Sequence, residues 1–262
     1  MATSAHIAII PFVLAAVNVI GILLACQAVI IVHTFGHYVV GRWSGIRADA
    51  FCLGFGPVLA SRVDGHGTRW QVALVPFGTS LEFRDDHERG APLPVRAVTA
   101  LAGPAFNFAL SLALFVTLFV IRGIATDRHD IPELLSLGLE FGLDELRLTI
   151  RALLSGLHHV VLVETSLCDL PGPISIGKAY VLAASESWIT LVLVIAYLST
   201  AFGVINLFPV PGLDGGTLAF LAWEGVTGRP PGLALKTFMV ACGLTLTIAL
   251  LLFMIGLDIF CP

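Results

Sequence analysis

Four long runs without a charged residue constrain this chain more than any other feature of its sequence. They are Ile7 to Val32, Ala97 to Ile121, Ser187 to Phe208 and Thr237 to Leu257. A helix needs about 20 apolar residues to cross the hydrocarbon core of a bilayer. With 57% hydrophobic and 12% charged residues and a mean hydropathy of +0.94, this composition excludes an ordinary water-soluble globule. We therefore expect an all-α integral membrane protein with four transmembrane helices, at about residues 7-41, 95-121, 187-208 and 237-257.

The positive charges between these runs predict the orientation of the helices. Seven arginines lie between the first and second runs, and Arg229 and Lys236 follow the third. The segment between the second and third runs has five basic residues beside nine acidic ones. Because loops rich in Lys and Arg stay in the cytoplasm, both termini are expected outside. Cys168 and Cys261 would then share the outer side, where a bridge is feasible but two unrelated thiols are the simpler expectation.

Two histidines four residues apart stand at the end of the first run. On a helix His33 and His37 lie on one face and can bind one metal ion. Such a pair alone is more often structural, since each imidazole can satisfy a carbonyl. Asp214 changes that interpretation, because it also follows a long uncharged run. Two imidazoles and a carboxylate, with one coordination position open, form the ligand set of a catalytic zinc ion.

The segment from Ala50 to Phe83 has a different pattern. Helix-breaking residues at Gly54 to Pro57 precede two β-prone runs, Val58 to Val63 and Thr68 to Val75. The runs flank an Asp-Gly, which predicts a β-hairpin. From the pattern alone, a hairpin in the cytoplasm is favoured.

Between the second and third runs the sequence predicts an amphipathic helix at the outer membrane surface. Its apolar face would consist of Leu139, Leu143, Leu146, Ile150, Leu153 and Leu157.

Four motifs together resemble the site-2 protease family of intramembrane zinc metalloproteases, in its bacterial regulated-intramembrane-proteolysis branch. They are the HTFGH at 33 to 37, the GFG at 54 to 56, the GPAFN at 103 to 107 and the NLFPVPGLDGG at 206 to 216. The resemblance covers most of the chain. It implies a single membrane-embedded metalloprotease domain over residues 1-262, in a bacterial inner membrane.

The resemblance also implies a function and a set of site residues. Zinc would be held by His33, His37 and Asp214, and the enzyme would hydrolyse peptide bonds in single-span transmembrane segments. The hairpin region, residues 50-83, would re-enter the membrane and pair with extended substrate. Substrate contacts would come from Asn206, Gly54, Phe55 and Gly56.

This sequence departs from the family pattern at its most important position. The glutamate of H-E-x-x-H, which serves as general base, is replaced by Thr34. Threonine cannot take a proton near neutral pH, and general-base help is worth about 10²–10⁴-fold in rate. Three explanations stay open: a deliberately inactivated chain, a natural pseudoprotease, or another base such as Glu82.

Two further departures concern substrate handling. Gly78-Thr79-Ser80 stands where many relatives have Gly-Gly-Tyr, and the interval from Gly123 to Tyr180 is too short to hold a PDZ domain. The competing functional class is a catalytically inactive pseudoprotease that binds membrane segments without cutting them. A transporter is a weaker alternative, because four spans without an internal repeat suit alternating access poorly. The chain has no basic patch that would bind nucleic acid.

The predicted orientation can be tested with reporter fusions. Fusions at Pro262 and within residues 85–89 should report opposite compartments, because one site is expected outside and the other in the cytoplasm. Reporters that indicate the same compartment would contradict the predicted topology.

Overall fold

The computed structural model describes residues 2–84, 87, 90–126, 130–161 and 172–261. It divides into two compact units, one of residues 27–110 and 199–247 and one of residues 1–26, 111–198 and 248–262. The helices and strands are α1 (Ala2–Trp43), β1 (Ala48–Val63), β2 (Arg69–Phe83), α2 (Leu93–Ala125), α3 (Ile131–Val161), α4 (Pro173–Glu186), α5 (Trp188–Asn206), α6 (Asp214–Thr227) and α7 (Leu233–Phe260).

Four of these helices are long and apolar enough to cross a membrane. The candidate spans are Val19–Trp43, Leu93–Ala125, Trp188–Asn206 and Leu233–Phe260. Each overlaps one of the four uncharged runs, so the prediction of four membrane helices in a mostly helical chain is confirmed. The chain is an integral membrane protein.

The predicted hairpin is also confirmed, but its strands are longer and more folded than the sequence indicates. Residues 50 to 53 of β1 pair with residues 82 to 79 of β2 on one edge and with residues 69 to 72 on the other. The strand segment that follows, Val58 to Val63, pairs with Ala73 to Arg69. Two long strands thus supply four neighbouring rows of backbone, and residues 79 to 83 form one outer edge.

The hairpin is attached to α1 at three levels. Gln27 binds the backbone of Gly78 twice: its Nε2 donates to the carbonyl oxygen at 3.1 Å, and its Oε1 accepts from the amide at 2.6 Å. Thr34 and Thr79 are joined through their hydroxyls. Tyr38 packs edge-on against Trp70, with ring centroids 5.2 Å apart. Positions 27, 34 and 38 share one face of the helix, over a length of about 16 Å.

The polar turn of the hairpin lies at the arginine-bearing end of α1. The Asp64 carboxylate accepts from Trp70 Nε1 at 3.1 Å and from the amides of His66 and Thr68. These hydrogen bonds, that of Trp70 foremost, lower the pKa of Asp64 to about 2. Arg42 donates to the Tyr38 hydroxyl at 2.9 Å, which places a second charge in this network. The Asp64 carboxylate is therefore ionised at neutral pH, and its hydrogen bonds hold the turn together.

In the other unit, α3 packs on α2 through Leu134 and two glycines. Leu134, Gly138 and Gly142 are buried, whereas Leu139 is 46% exposed. Gly138 lies against Phe119 and Val116, and Gly142 lies against Leu112 and Phe115 of α2. Small residues four apart permit this close approach. A helix was predicted here correctly, whereas its amphipathic leucine face and its position at the membrane surface stay predictions.

Asp258, near the end of α7, caps the N-terminus of α4. Asp258 accepts from the amides of Gly172, Ile174 and Ser175, and from the Ser175 hydroxyl at 2.6 Å. A carboxylate in this position satisfies the unpaired amides of a helix N-terminus.

The cysteines differ from expectation at one position. Cys261 is disulfide-bonded, so the prediction of a free thiol there is wrong. Cys26, Cys52 and Cys242 are free, and Cys168 lies outside the described residues.

The attachment of the hairpin predicts a local effect of Gln27. Gln27→Ala removes the acceptor of the Gly78 amide, so hydrogen exchange at Gly78 should accelerate about tenfold or more, the equivalent of one net hydrogen bond. Exchange measured by mass spectrometry on a peptide covering 76–80 would show it.

Gln27→Glu is the matched control for this change. It keeps the acceptor and loses only the donor, so its exchange rate should lie between those of the other two chains. Equal protection in all three chains would contradict the attachment.

Candidate metal centre

Three side chains from two helices converge on one point. His33 and His37 lie on α1, and their Nε2 atoms are 3.2 Å apart. Asp214 is the first residue of α6, and its Oδ2 lies 3.1 Å from His33 Nε2 while its Oδ1 lies 3.3 Å from His37 Nε2. The structure thus brings together the three residues that the sequence indicated, with ligand atoms that all lie within 4.8 Å of one another.

Asp214 reaches this position because the preceding loop is held tightly under α6. The helix α5 ends at Asn206, and Pro209 and Pro211 prevent it from continuing. A Cβ on Gly215 would collide with the carbonyl oxygens of Leu207 and Phe208, and one on Gly216 with that of Val210. The two glycines after Asp214 therefore let the first turn of α6 rest directly on the loop backbone.

A third helix, α2, closes the site from behind. A Cβ on Gly103 would collide with His37 Nε2 and with the ring of His33. Gly36 of α1 lies against Ala102 and Phe106 of α2 in the same way. Glycines on both helices thus allow α2 to approach the two imidazoles at backbone distance.

Each imidazole has a polar neighbour at its other nitrogen. His37 Nδ1 lies 2.8 Å from the carbonyl oxygen of Thr99, which can only accept, so Nδ1 carries the hydrogen. His33 Nδ1 lies 3.3 Å from the side-chain amide of Asn107, which is completely buried. Nothing in the sequence indicates that Asn107 would meet a histidine nitrogen.

These contacts fit a cation. With its hydrogen on Nδ1, His37 presents a lone pair at Nε2 to the centre of the cluster. Asp214 Oδ2 is buried there and accepts no hydrogen bond, although His33 Nε2 is only 3.1 Å away. Burial alone would raise the pKa of the Asp214 carboxyl, but the two imidazoles lower it on balance, so Asp214 is a carboxylate. Two imidazole nitrogens and a carboxylate that converge in this way suit zinc.

Thr34, at the general-base position, is turned towards the hairpin. Its hydroxyl lies 3.0 Å from the carbonyl oxygen of Ile30 and 2.5 Å from the Thr79 hydroxyl. Thr79 in turn lies 3.4 Å from the same carbonyl oxygen. Both hydroxyl hydrogens are thus accommodated between these three residues, away from the metal ligands.

A cavity of about 490 Å³ opens beside the cluster. Its wall includes His37 and Asp214, with Leu81 and Phe83 from the outer edge of β2. Side chains alternate between the two faces of a strand, so Glu82 points away from this cavity, and it is exposed. This placement disfavours Glu82 as a substitute base.

An ion pair stands at another part of the cavity wall. Arg96 of α2 and Glu224 of α6 approach to 2.5 Å, and their side chains are 15% and 21% exposed. Arg96 Nε is buried without a hydrogen-bond partner. The pair connects two helices that carry parts of the metal site.

The residues predicted to contact substrate are placed elsewhere. Asn206 is buried at the end of α5, and its amide donates to the carbonyl oxygen of Phe202 one turn earlier at 2.9 Å. Gly54 and Gly56 lie within β1 and have positive φ values of 90° and 94°. Phe55 between them packs its ring against Gly78. Whether they touch substrate stays a prediction.

Fold and site together define a membrane protein with a candidate metal site of two histidines and one aspartate. Residues 21–250 match the family model of peptidase family M50, and the chain belongs to that family. The resemblance to the site-2 proteases seen in the sequence is thereby confirmed.

Curated relatives agree with this assignment. The chain is 25% identical to a protein named "Putative zinc metalloprotease" from Brucella suis, over 93% of this chain and 95% of the relative. A protein of the same printed description from Agrobacterium fabrum is 25% identical over 92% and 95% of the two chains. Another from Rhizobium meliloti is 26% identical over 88% and 93%. The chain therefore has a metalloprotease scaffold.

The geometry predicts that the purified chain binds about one zinc ion. His37→Ala and Asp214→Ala should each abolish binding, because two ligands do not hold the metal at equilibrium against a chelator. Elemental analysis after dialysis measures the content.

Gly103→Ala tests the close approach of α2, since the new methyl group would displace both imidazoles. Its zinc content should fall, whereas Gly123→Ala on the same helix, which meets Leu134 instead, should leave it unchanged. Full zinc content in Gly103→Ala would show that the helices are not packed as described.

Proposed function

We propose that this chain is an intramembrane zinc metalloprotease of the site-2 type, acting on peptide bonds in transmembrane segments of membrane proteins, with turnover impaired by Thr34. The observation that carries the proposal is the convergence of His33, His37 and Asp214 beside a cavity in a chain of four apolar helices. Bound there, zinc supplies a Lewis acid that polarises a carbonyl and acidifies water. Its family membership supports zinc as the metal.

The unpaired edge of β2 supports the proposal that substrate binds in an extended conformation. Within the described part of the chain, residues 79 to 83 pair with β1 on one edge only. Leu81 and Phe83 from this edge line the cavity with His37 and Asp214. A segment that adds to the edge as a further strand exposes its peptide bonds next to the metal ligands, which a helical segment cannot do.

The distribution of polar and apolar groups along the hairpin supports a membrane-re-entrant position. Residues Gly54 to Pro57 of β1 and Val75 to Gly78 of β2 lie level with Gln27, within the first candidate span. Phe55, Leu59 and Val75 are more than half exposed there. The polar Asp64 turn lies level with Arg42 at the end of the span. Hydrocarbon around the apolar end and water around the polar end would match this arrangement.

The hydroxyl pair of Thr34 and Thr79 favours a second candidate function. A side chain that is hydrogen-bonded to the hairpin and cannot take a proton does not activate water. A chain of this kind can still hold zinc and bind a membrane segment, so a catalytically inactive pseudoprotease that binds such segments is the alternative.

We place the protein in the bacterial inner membrane with both termini outside, and single-span membrane proteins and the surrounding lipid as its partners. The excess of arginines in the loop after the first span supports this orientation. The disulfide at Cys261 supports it too, because disulfides persist on the oxidising side of that membrane. No nucleic acid is proposed as a partner.

The absence of PDZ domains between the second and third spans belongs to the same proposal. The alignment with the Brucella suis relative runs over 360 positions, whereas this chain has 262 residues. Positions present only in the relative account for the difference, and we infer that this chain lacks PDZ domains. Selection of substrate then falls to the membrane helices and the hairpin.

Restoring the base tests the proposal. Thr34→Glu should raise cleavage of a transmembrane substrate by at least ~10²-fold at unchanged zinc content, and mainly in turnover, because a base acts in the transition state. Thr79 occupies the space beside position 34, so Thr34→Glu with Thr79→Gly should exceed the single variant. Cleavage in detergent or proteoliposomes measures both.

Thr34→Gln is the control for side-chain length, and it should give no gain. An inert double variant that binds both zinc and substrate would overturn the protease reading in favour of the binding protein. Equal rates in the original chain and Thr34→Glu would mean that another group is the base.

A further inference from the structure

A histidine that binds a metal through Nε2 must carry its hydrogen on Nδ1. A neutral imidazole has one ring hydrogen, and metal-bound histidines usually donate it to an oxygen that fixes the tautomer and the ring. For His37 that oxygen is the carbonyl of Thr99, at 2.8 Å. His33 needs an equivalent acceptor at its own Nδ1.

The polar neighbour of His33 Nδ1 is the side chain of Asn107. Its Nδ2 lies 3.3 Å from Nδ1, and its Oδ1 is buried with no hydrogen-bond partner. Asn107 is completely buried, and its backbone oxygen accepts from the Ser199 hydroxyl at 2.8 Å. A buried amide oxygen without a partner costs free energy, so this amide has an unmet need for a donor.

The two orientations of the amide have opposite consequences for the metal. With Nδ2 towards His33, the amide donates to Nδ1 and moves the ring hydrogen to Nε2, where it blocks a cation. A rotation of 180° exchanges two atoms of nearly equal size and turns Oδ1 towards Nδ1. Nδ1 then donates to Oδ1, and Nε2 keeps its lone pair for the metal.

We propose that Asn107 is a positioning residue of the metal site: its side-chain oxygen accepts the Nδ1 hydrogen of His33 and selects the imidazole tautomer whose Nε2 can bind zinc. The inference rests on the proposed metal site and assigns a role outside the three ligands. Thr99 and Asn107 then serve the two histidines in the same way, one with a backbone oxygen and one with a side-chain oxygen.

Zinc affinity of the full chain, measured by competition with a chromogenic chelator, tests the role without reference to cleavage. Asn107→Ala removes the acceptor and should weaken zinc binding by about 10–100-fold. Asn107→Asp keeps an acceptor oxygen in the same place and should restore binding to near the level of the unchanged chain. Ser199→Ala, which loses only the contact to the Asn107 backbone, should bind zinc normally.

Several results would overturn the inference. If Asn107→Ala binds zinc as tightly as the unchanged chain, the amide does not position His33. If Asn107→Asp is as weak as Asn107→Ala, the loss reflects packing or the donor, and an acceptor is not required. If the unchanged chain binds no zinc, the proposed metal site fails and this inference with it.

A second measurement needs no variant. The ¹H–¹⁵N signal of the His33 ring in the zinc-loaded chain reports where the remaining ring hydrogen lies and how fast it exchanges with solvent. We expect the hydrogen on Nδ1, held against exchange by the Asn107 oxygen. Rapid exchange of this hydrogen, or a hydrogen on Nε2, would show that Asn107 offers no acceptor and would overturn the assignment even if every Asn107 variant failed to fold.

Discussion

Polar groups among apolar helices have to find partners inside the protein, because hydrocarbon offers none. The metal centre depends on this constraint throughout. The side-chain amide of Gln27 hydrogen-bonds to the backbone of Gly78. The hydroxyl of Ser199 donates to the backbone oxygen of Asn107, and His37 Nδ1 donates to the backbone oxygen of Thr99. Backbone oxygens and amides thus serve as fixed partners, and they hold the side chains that carry chemistry.

Glycine makes these arrangements possible by removing bulk where backbones meet. Gly103 admits both imidazoles against α2, and Gly215 and Gly216 seat the start of α6 on its loop. Van der Waals packing of this kind replaces the hydrophobic effect between helices in lipid, where apolar side chains gain little by leaving their surroundings. The site is built from close approach more than from large side chains.

Much of this could be predicted from the sequence, for identifiable reasons. The four spans follow from uncharged length, and the pairing of His33 with His37 follows from helical periodicity. Asp214 is 177 residues from His37, and only the family motif joins them. Thr99 and Asn107 were not assigned to the histidines, because contacts between distant helices leave no periodic signal. The glycine contacts of α3 with α2 were not predicted, since two glycines four residues apart are a weaker signal than a pattern of leucines.

The binding of Gln27 to Gly78 sets a limit on how far the outer edge of β2 can be extended. A side-chain amide occupies both backbone groups of Gly78, much as a neighbouring strand would. Beyond that point the edge offers only residues 79 to 83, roughly 17 Å at the rise of a strand. A helix that pairs with this edge would unwind over little more than one turn, so the rest of a membrane segment could stay helical and shielded in lipid.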